Sequence, residues 1–82
     1  MAIFYPPFKL SEKIGKKRVE IDAATLQGLL VEGSKLFETD LAETATHFSV
    51  LINGRNIRYL DGFATPLAKD DEVWFVHGSG GG

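Results

Sequence analysis

The spacing of apolar and polar positions divides the first part of the chain into short elements. Ala2–Tyr5 is apolar and aromatic and ends at Pro6-Pro7. Because proline cannot continue a hydrogen-bonded ladder, this segment predicts a first strand. Lys17–Asp22 alternates polar and apolar side chains, which predicts a half-buried second strand. Phe8–Gly15, between the two, is expected to be a connection with room for one turn of helix.

The next segment has the spacing of an amphipathic helix. Its apolar positions recur at intervals of three and one, as on one helix face: Leu26, Leu29, Leu30, Gly33, Leu36 and Phe37. We expect the helix to run from about Ala23 to Phe37 or Glu38, with Asp22 as its N-cap. Its two glycines each lower helix stability by roughly 1 kcal/mol relative to alanine. A glycine on the apolar face can instead permit close approach to a sheet.

A hairpin follows the helix. Thr39–His47 is polar and irregular and predicts a loop with a short turn around Leu41. Phe48–Ile52 predicts a third strand that ends at Asn53-Gly54. This dipeptide is a strong hairpin signal because both turn positions need positive φ. Asn56–Leu60 is the predicted returning strand.

The last predicted strand is Glu72–His77, which is apolar on both faces and therefore suits a central position. The resulting order, ββαβββ, predicts an α+β fold of the β-grasp (ubiquitin-like) type. One main helix lies across one face of a mixed sheet, and the first and last strands are parallel neighbours at its centre. Trp74 and Phe75 point to opposite faces, and an exposed apolar patch on the helix-free face marks a protein interface. We expect residues 1–77 to form the domain and residues 78–82 a flexible C-terminal tail.

Length and composition restrict the chemistry. The 82 residues are enough for one small domain with a thin core. The absence of cysteine excludes disulfides, iron–sulfur clusters, thiolate zinc sites and a cysteine nucleophile. Two histidines make a poor metal site. No Ser/His/Asp set or pair of carboxylates has a spacing that indicates catalysis, so we expect no catalytic or metal-binding residues in this chain.

The charge is unevenly distributed. The formal net charge is −2, which gives no indication of nucleic-acid binding. Residues 9–18 nevertheless carry five basic residues and one acidic residue, Glu12. This cluster is either a solvated loop or a docking patch for an acidic partner, where charge mainly raises the association rate. We find no apolar run of membrane-spanning length and no signal-peptide pattern, so we expect a cytoplasmic protein that binds neither membranes nor nucleic acid.

The C-terminal segment is the most distinctive candidate for chemistry. Its five residues have no side chain larger than serine: Gly78, Ser79, Gly80, Gly81 and Gly82. Such a strip can extend by roughly 16 Å and enter a narrow channel in a partner. The reacting group is then the Gly82 carboxylate, which becomes an electrophile once a partner converts it to an acyl-adenylate. The alternative is a disordered end or an expression linker, since both are often rich in glycine and serine.

Other polar residues near the predicted strand ends have two interpretations. His77, just before the tail, either helps to position a partner or the adenylate, or is only a polar strand end. His47 is assigned no role. Arg55, Asn56 and Arg58 form either a polar rim for a partner or a solvated hairpin.

The order and spacing of several short motifs resemble the ubiquitin-like sulfur-carrier family, which includes the molybdopterin synthase small subunit (MoaD-like) and the thiamine sulfur carrier (ThiS-like). The resemblance covers essentially the whole chain and is greatest to the molybdopterin synthase branch. The residues that carry it are Val50-Leu51-Ile52-Asn53-Gly54-Arg55, Leu60-Asp61-Gly62, Thr65-Pro66-Leu67, Asp70-Asp71-Glu72-Val73 and Gly81-Gly82.

The resemblance implies a reaction cycle in which this chain is a non-catalytic carrier. An E1-like enzyme adenylates Gly82 with ATP, a sulfur donor converts it to a thiocarboxylate, and the tail delivers sulfur to a pterin precursor in the large synthase subunit. ATP, pterin and any metal then belong to the partners, and the carrier itself binds no cofactor tightly. A carrier for thiamine or cysteine synthesis, a ubiquitin-like modifier and a β-grasp interaction module with an inert tail are the alternatives.

Three departures from the family pattern bear on the pathway more than on the fold. The proline-rich step before the final di-glycine is replaced by Phe75-Val76-His77-Gly78-Ser79-Gly80. The loop before the last strand has Asp70-Asp71 where Asp-Gly is common. The first connection has Leu10-Ser11-Glu12, which lacks the arginine of the common Leu-Arg-Glu.

Overall fold

The first and last strands form the centre of one mixed sheet. The computed structural model describes residues 1–77, so the predicted tail, residues 78–82, lies outside the described residues. The strands are β1 (Ala2–Tyr5), β2 (Val19–Ile21), β3 (Ser49–Ile52), β4 (Arg55–Asn56) and β5 (Glu72–Val76). Their order across the sheet is β2-β1-β5-β3-β4. The β1–β5 pair is parallel and the other pairs are antiparallel, which confirms the predicted β-grasp arrangement.

Three helices cover one face of this sheet. They are α1 (Phe8–Ile14), α2 (Leu26–Phe37) and α3 (Leu41–Ala45). Alternate strand residues face the helices and are buried, and α2 contributes the largest share of buried helical residues to the core. None of the helices in residues 1–77 is long and apolar enough to cross a membrane.

Aromatic packing joins the central strands to the main helix. The ring of Phe4, which is fully buried, meets Phe37 edge-on with a centroid separation of 5.8 Å. The same ring meets Phe75 at 5.1 Å and an interplanar angle of 73°. Edge-to-face pairs of this kind contribute about 0.5–1.5 kcal/mol each beyond the burial of their area. Phe4 on β1 thus links β5 to the end of α2.

Two connections are more helical than predicted. The first forms two turns as α1, because Leu10 and Ile14 lie one turn apart against the core and Gly15 ends the helix at φ 70°. The segment predicted as a loop contains α3, where Leu41 and Ala45 are buried and Asp40 accepts a hydrogen bond from the Glu43 N–H. A single i, i+4 apolar pair is too short a periodic signal to identify a helix from sequence.

The predicted N-cap of the main helix, Asp22, is wrong. The helix begins at Leu26, and the Thr25 hydroxyl caps it by accepting from the Gly28 N–H at 3.1 Å. The chain before it is held by the loop around Pro66, because the Leu26 N–H donates to Thr65 O and the Leu67 N–H donates to Ala24 O. These bonds span about forty residues of sequence. They keep the segment extended and delay the start of the helix.

The returning strand of the hairpin is also shorter than predicted. Asn53 and Gly54 form the turn with φ values of 52° and 84°, as expected, but β4 stops at Asn56. The Asn56 side chain accepts a hydrogen bond from the Arg58 N–H and starts a 3-10 turn over Ile57–Tyr59. The expectation of a strand to Leu60 is therefore wrong, because a local side-chain bond replaces the ladder. β1 has its predicted bounds, β3 and β5 are each one residue shorter than predicted, and β2 is confined to Val19–Ile21.

Gly33 allows α2 and α3 to pack closely. A Cβ atom at Gly33 would lie 2.5 Å from Cδ1 of Leu41 and 3.4 Å from Cδ1 of Ile21. The close approach expected of a glycine on the apolar face is therefore present. Its tightest neighbour is a side chain of α3, with the sheet residue Ile21 beyond it. Gly28 has no such restriction, since a Cβ there meets Ala23 and Thr25 at 3.5 Å.

Substitution of these glycines tests the packing. We expect Gly33→Ala to destabilise the fold by about 1–3 kcal/mol because the added methyl overpacks the site against Leu41. The matched control, Gly28→Ala, should be neutral or stabilising by up to about 1 kcal/mol, since alanine favours helix and the space is free. Urea unfolding followed by circular dichroism measures both. Equal midpoints for the two variants would contradict this account of Gly33.

The capping residue can be tested in the same way. Thr25→Ala should lower the free energy of unfolding by about 1 kcal/mol because the Gly28 N–H loses its acceptor. Asp22→Ala, four residues from the helix, should change it by less than about 0.5 kcal/mol, as is usual for exposed positions. If Asp22→Ala lowered the free energy of unfolding more than Thr25→Ala in the same urea titration, Asp22 and not Thr25 would be the N-cap.

Candidate functional site

The C-terminal end of β5 leaves the sheet at its centre. Because β1 and β5 are parallel, their last residues, Tyr5 and Val76, lie at the same end of the sheet. At this end β1 is followed by α1, and β5 continues into His77. The predicted covalent site, Gly82, and the tail residues before it follow this point and lie outside the described residues. We call this end of the sheet, where the chain continues beyond β5, the chain exit.

One apolar row crosses the helix-free face of the sheet. Trp74 pairs with Tyr5 on one side and with Leu51 on the other. The Tyr5 and Trp74 rings stack at 3.9 Å with an interplanar angle of 4°, and the Tyr5 hydroxyl donates to Glu72 Oε2 at 3.3 Å. Trp74 is 39% exposed, whereas Phe75 is 5% exposed under the helices. The structure thus places Trp74 on the open face, which the alternation alone left undecided.

The two histidines have different surroundings. His77 is exposed at the chain exit, and its ring lies 5.3 Å from that of Phe48. His47 Nε2 lies 3.1 Å from Glu43 Oε1 on the surface of α3. No hydrogen bond within residues 1–77 holds the His77 imidazole in one orientation, so the structure gives it no built-in partner.

An apolar pocket beside the chain exit was missed at the level of sequence. It lies between α1 and α3, has a volume of about 450 Å³, and is lined by Pro7, Phe8, Lys9, Leu10, Thr44, Phe48 and His77. Phe8 is 73% exposed, because it lies two positions from Leu10 and so points away from the core-facing side of α1. The two-residue spacing of Phe8 and Leu10 is the one sequence signal that could have identified the pocket, but only once α1 is known to be helical.

The family motifs at the opposite end of the sheet have a structural role. Asn53 Nδ2 donates to Asp71 Oδ1 at 2.9 Å, and Asn53 Oδ1 accepts from the Glu72 N–H at 2.9 Å. Asp71 also accepts from the Ala68 N–H at 2.7 Å. These bonds clamp the hairpin turn to the loop that begins β5, at the end of β5 remote from the chain exit. The motifs position β5 and do not contact the chain exit.

The polar residues of the hairpin do not line the pocket at the chain exit, although Asn56 and Arg58 line a second pocket with Phe48 and Ser49. Arg55 and Arg58 are exposed, and the Asn56 side chain is used by its own backbone turn. Nor do residues 1–77 contain three His, Asp or Glu side chains placed to hold a metal ion.

Solved structures of other proteins share this fold. The chain superimposes on CysO of Mycobacterium tuberculosis with a TM-score of 0.82 and 19% identity, over 96% of this chain and 100% of that one. It superimposes on small archaeal modifier protein 1 of Methanosarcina acetivorans with a TM-score of 0.75 and 22% identity, over 99% and 95%. At these identities the likeness shows the fold, which is the ubiquitin-like β-grasp.

Sequence similarity then gives the family. The chain is 32% identical to the "Putative sulfur carrier protein" of Archaeoglobus fulgidus over 83 residues, which are 90% of this chain and 94% of that protein. No protein-family model matches the sequence. The chain belongs to the ThiS/MoaD-like family of ubiquitin-like sulfur carriers.

The loop before β5 has Asp70-Asp71 where Asp-Gly is common in the family, and glycine substitutions at these two positions test its role. Asp70 has a φ of 65°, a conformation in which glycine is relaxed and other residues are strained. We expect Asp70→Gly to be neutral within about 1 kcal/mol, since relief of strain offsets the entropy gained by the unfolded chain. Asp71→Gly should cost about 2 kcal/mol, because the Asn53 amide and the Ala68 N–H both lose their acceptor. Thermal unfolding of both variants measures this, and equal melting temperatures would contradict it.

Proposed function

We propose that this chain carries sulfur as a thiocarboxylate on Gly82 and performs no catalysis of its own. The observation that supports this most directly is the combination of family membership with a C-terminal Gly81-Gly82 that follows the central strand. A strand held on both sides by neighbours gives a partner a fixed body to bind. The five residues after His77 then reach the partner's active site.

The chemistry proposed for Gly82 has two activation steps. The carboxylate oxygen attacks the α-phosphorus of ATP, which forms an acyl-adenylate and releases pyrophosphate. A donor that delivers sulfur at the level of hydrosulfide then attacks the acyl carbon. The carbon–oxygen bond to AMP breaks, AMP leaves with the electron pair, a proton is released, and Gly82 becomes a thiocarboxylate. Transfer of the sulfur to an acceptor, with addition of water to the acyl carbon, restores the carboxylate.

The enzymes of this cycle are expected to be partners. An E1-like adenylating enzyme supplies the ATP site, and a large synthase subunit or another sulfur-accepting enzyme supplies the acceptor site. We propose that the cycle takes place in the cytoplasm. The stacked Tyr5 and Trp74 give an apolar contact on the open face for one of these partners.

The acceptor proposed first is a pterin precursor of the molybdenum cofactor, because the motif spacing resembles the molybdopterin synthase branch most. A carrier for cysteine or thiamine synthesis is the alternative, and the fold likeness to CysO favours the cysteine member of that pair. The replacement of the proline-rich step by His77 and the glycines after it also allows an acceptor other than the pterin synthase.

A second candidate function is protein modification. It is favoured by the fold likeness to small archaeal modifier protein 1. In this case a lysine amine of a target attacks the Gly82 adenylate, an isopeptide bond forms and AMP leaves. Both functions share the adenylate and differ in the nucleophile.

Mass spectrometry of the protein isolated from its own cells separates these functions. The carrier predicts an intact mass that ends at Gly82 with one oxygen replaced by one sulfur. The modifier predicts conjugates in which a target lysine carries the C-terminal glycines. Deletion of Gly81-Gly82 should abolish either product, while Ser79→Ala, a change within the same segment that leaves the di-glycine intact, should retain it. A deletion strain that still makes the sulfur-containing product would overturn the carrier function.

A further inference from the structure

The apolar pocket at the chain exit lies against the most basic part of the molecule. Lys9 lines the pocket itself, and Lys13 lies one helical turn further along the same side of α1. The loop after α1 adds Lys16, Lys17 and Arg18, all exposed. The pocket and the basic stripe therefore form one continuous surface, which begins at the chain exit and follows α1.

The positive charges of this stripe are not paired with carboxylates within residues 1–77. Within residues 1–77 the ion pairs are Lys35 with Glu32 and His47 with Glu43, and neither includes a residue of the stripe. Lys13 Nζ donates weakly to Glu38 O and Thr39 Oγ1, at 3.5 and 3.3 Å, which leaves its charge unneutralised. Residues 9–18 carry five basic residues against the single Glu12, a local excess of four positive charges, so the stripe presents a positive potential to a partner.

The pocket offers apolar contact with little competing polarity. Phe8 stands at its edge with most of its ring exposed, and Phe48 and Leu10 form its inner wall. A tail of glycines and one serine has no apolar side chain to fill such a pocket. An apolar side chain from another protein suits it, with carboxylates beside it to meet the lysines.

We propose that this surface docks the adenylating partner, through an apolar side chain of that enzyme seated beside Phe8 and flanked by acidic residues that face Lys9 and Lys13. The inference rests on the proposed function, because the activating enzyme must hold the body of the carrier next to the segment it adenylates. The chain exit, the pocket and α1 are contiguous. An enzyme bound here receives the segment after His77 without spanning the sheet. The surface lies at the α1–α3 side, away from the open face that carries Trp74.

Charge reversal with a matched control tests the basic stripe. The full-length chain is mixed with ATP and the E1-like adenylating enzyme of the same cell, and pyrophosphate release gives kcat/KM. Lys9→Glu/Lys13→Glu should lower kcat/KM by about tenfold to a hundredfold at low salt, mainly through KM, because electrostatic attraction raises the association rate. The loss should shrink as salt shortens the screening length. Lys35→Glu/Lys69→Glu makes the same change of net charge elsewhere and should lower kcat/KM less than twofold.

A second pair of variants tests the pocket. Phe8→Ala should lower kcat/KM about fivefold, since a buried interface anchor contributes more than about 1 kcal/mol. Tyr59→Ala removes an aromatic ring of similar exposure, 77% against 73% for Phe8, and should leave kcat/KM unchanged. Thermal unfolding of all four variants establishes that each is folded at the assay temperature.

The outcomes separate the two proposals. If the wild-type chain releases pyrophosphate and the Lys9/Lys13 and Phe8 variants match their controls, the docking surface is wrong and the carrier function stands. If the wild-type chain is not adenylated, the proposed function fails and this inference fails with it. A normal rate for these variants combined with quenching of Trp74 emission on binding would place the enzyme on the open face instead, which also overturns the inference.

Discussion

The parallel pairing of β1 with β5 is the constraint on which the rest of the structure depends. It joins residues near the two ends of the described chain, with Phe4 opposite Val73, and both side chains are fully buried under the helices. Phe4 then packs against Phe75 and Phe37, so the same contact that orders the strands also seats α2. Because two parallel strands finish at the same end of a sheet, the pairing also brings the start of α1 beside the chain exit. The pocket at Phe8 is a consequence of that geometry.

The two ends of β5 differ in what surrounds them. At its start, side chains form a hydrogen-bond network with the backbone. Asn53 binds Asp71 and accepts from the Glu72 N–H, and Asp71 accepts from the Ala68 N–H. At its end the surroundings are an exposed histidine, an exposed phenylalanine and basic side chains without ion pairs in residues 1–77. The family motifs that are easiest to recognise in sequence therefore stabilise one end of the strand. The surface available to partners is built at the other end by residues outside those motifs.

Much of the fold could be predicted from local signals. The apolar runs of β1 and β5, the helical spacing of α2 and the Asn53-Gly54 turn each depend on residues close together in sequence, and each was identified correctly. The errors have two causes. The helices α1 and α3 are too short to give a periodic signal, whereas the wrong N-cap and the overlong β4 reflect hydrogen bonds that the apolar–polar pattern does not reveal. Thr25 displaced Asp22 as the cap because the loop at Pro66 holds the preceding segment. Asn56 ended β4 because its side chain binds its own backbone. For the candidate site, the family and the proposed role of Gly82 came from sequence, whereas the pocket and its relation to α1 did not.

The sequence by itself determined the order of elements, the central position of the last strand, the uneven charge and the family resemblance. These properties reside in composition, in spacing and in short motifs. Only the tertiary structure decided which face of β5 the helices cover, and so that Trp74 is open and Phe75 is buried. It also decided that Gly33 accommodates Leu41, and that Phe8, Thr44 and Phe48 meet at one pocket. The physical reason is that β5 is apolar on both of its faces, so its sequence favours neither face for burial. Which one is buried depends on where distant helices pack, and no local pattern records that.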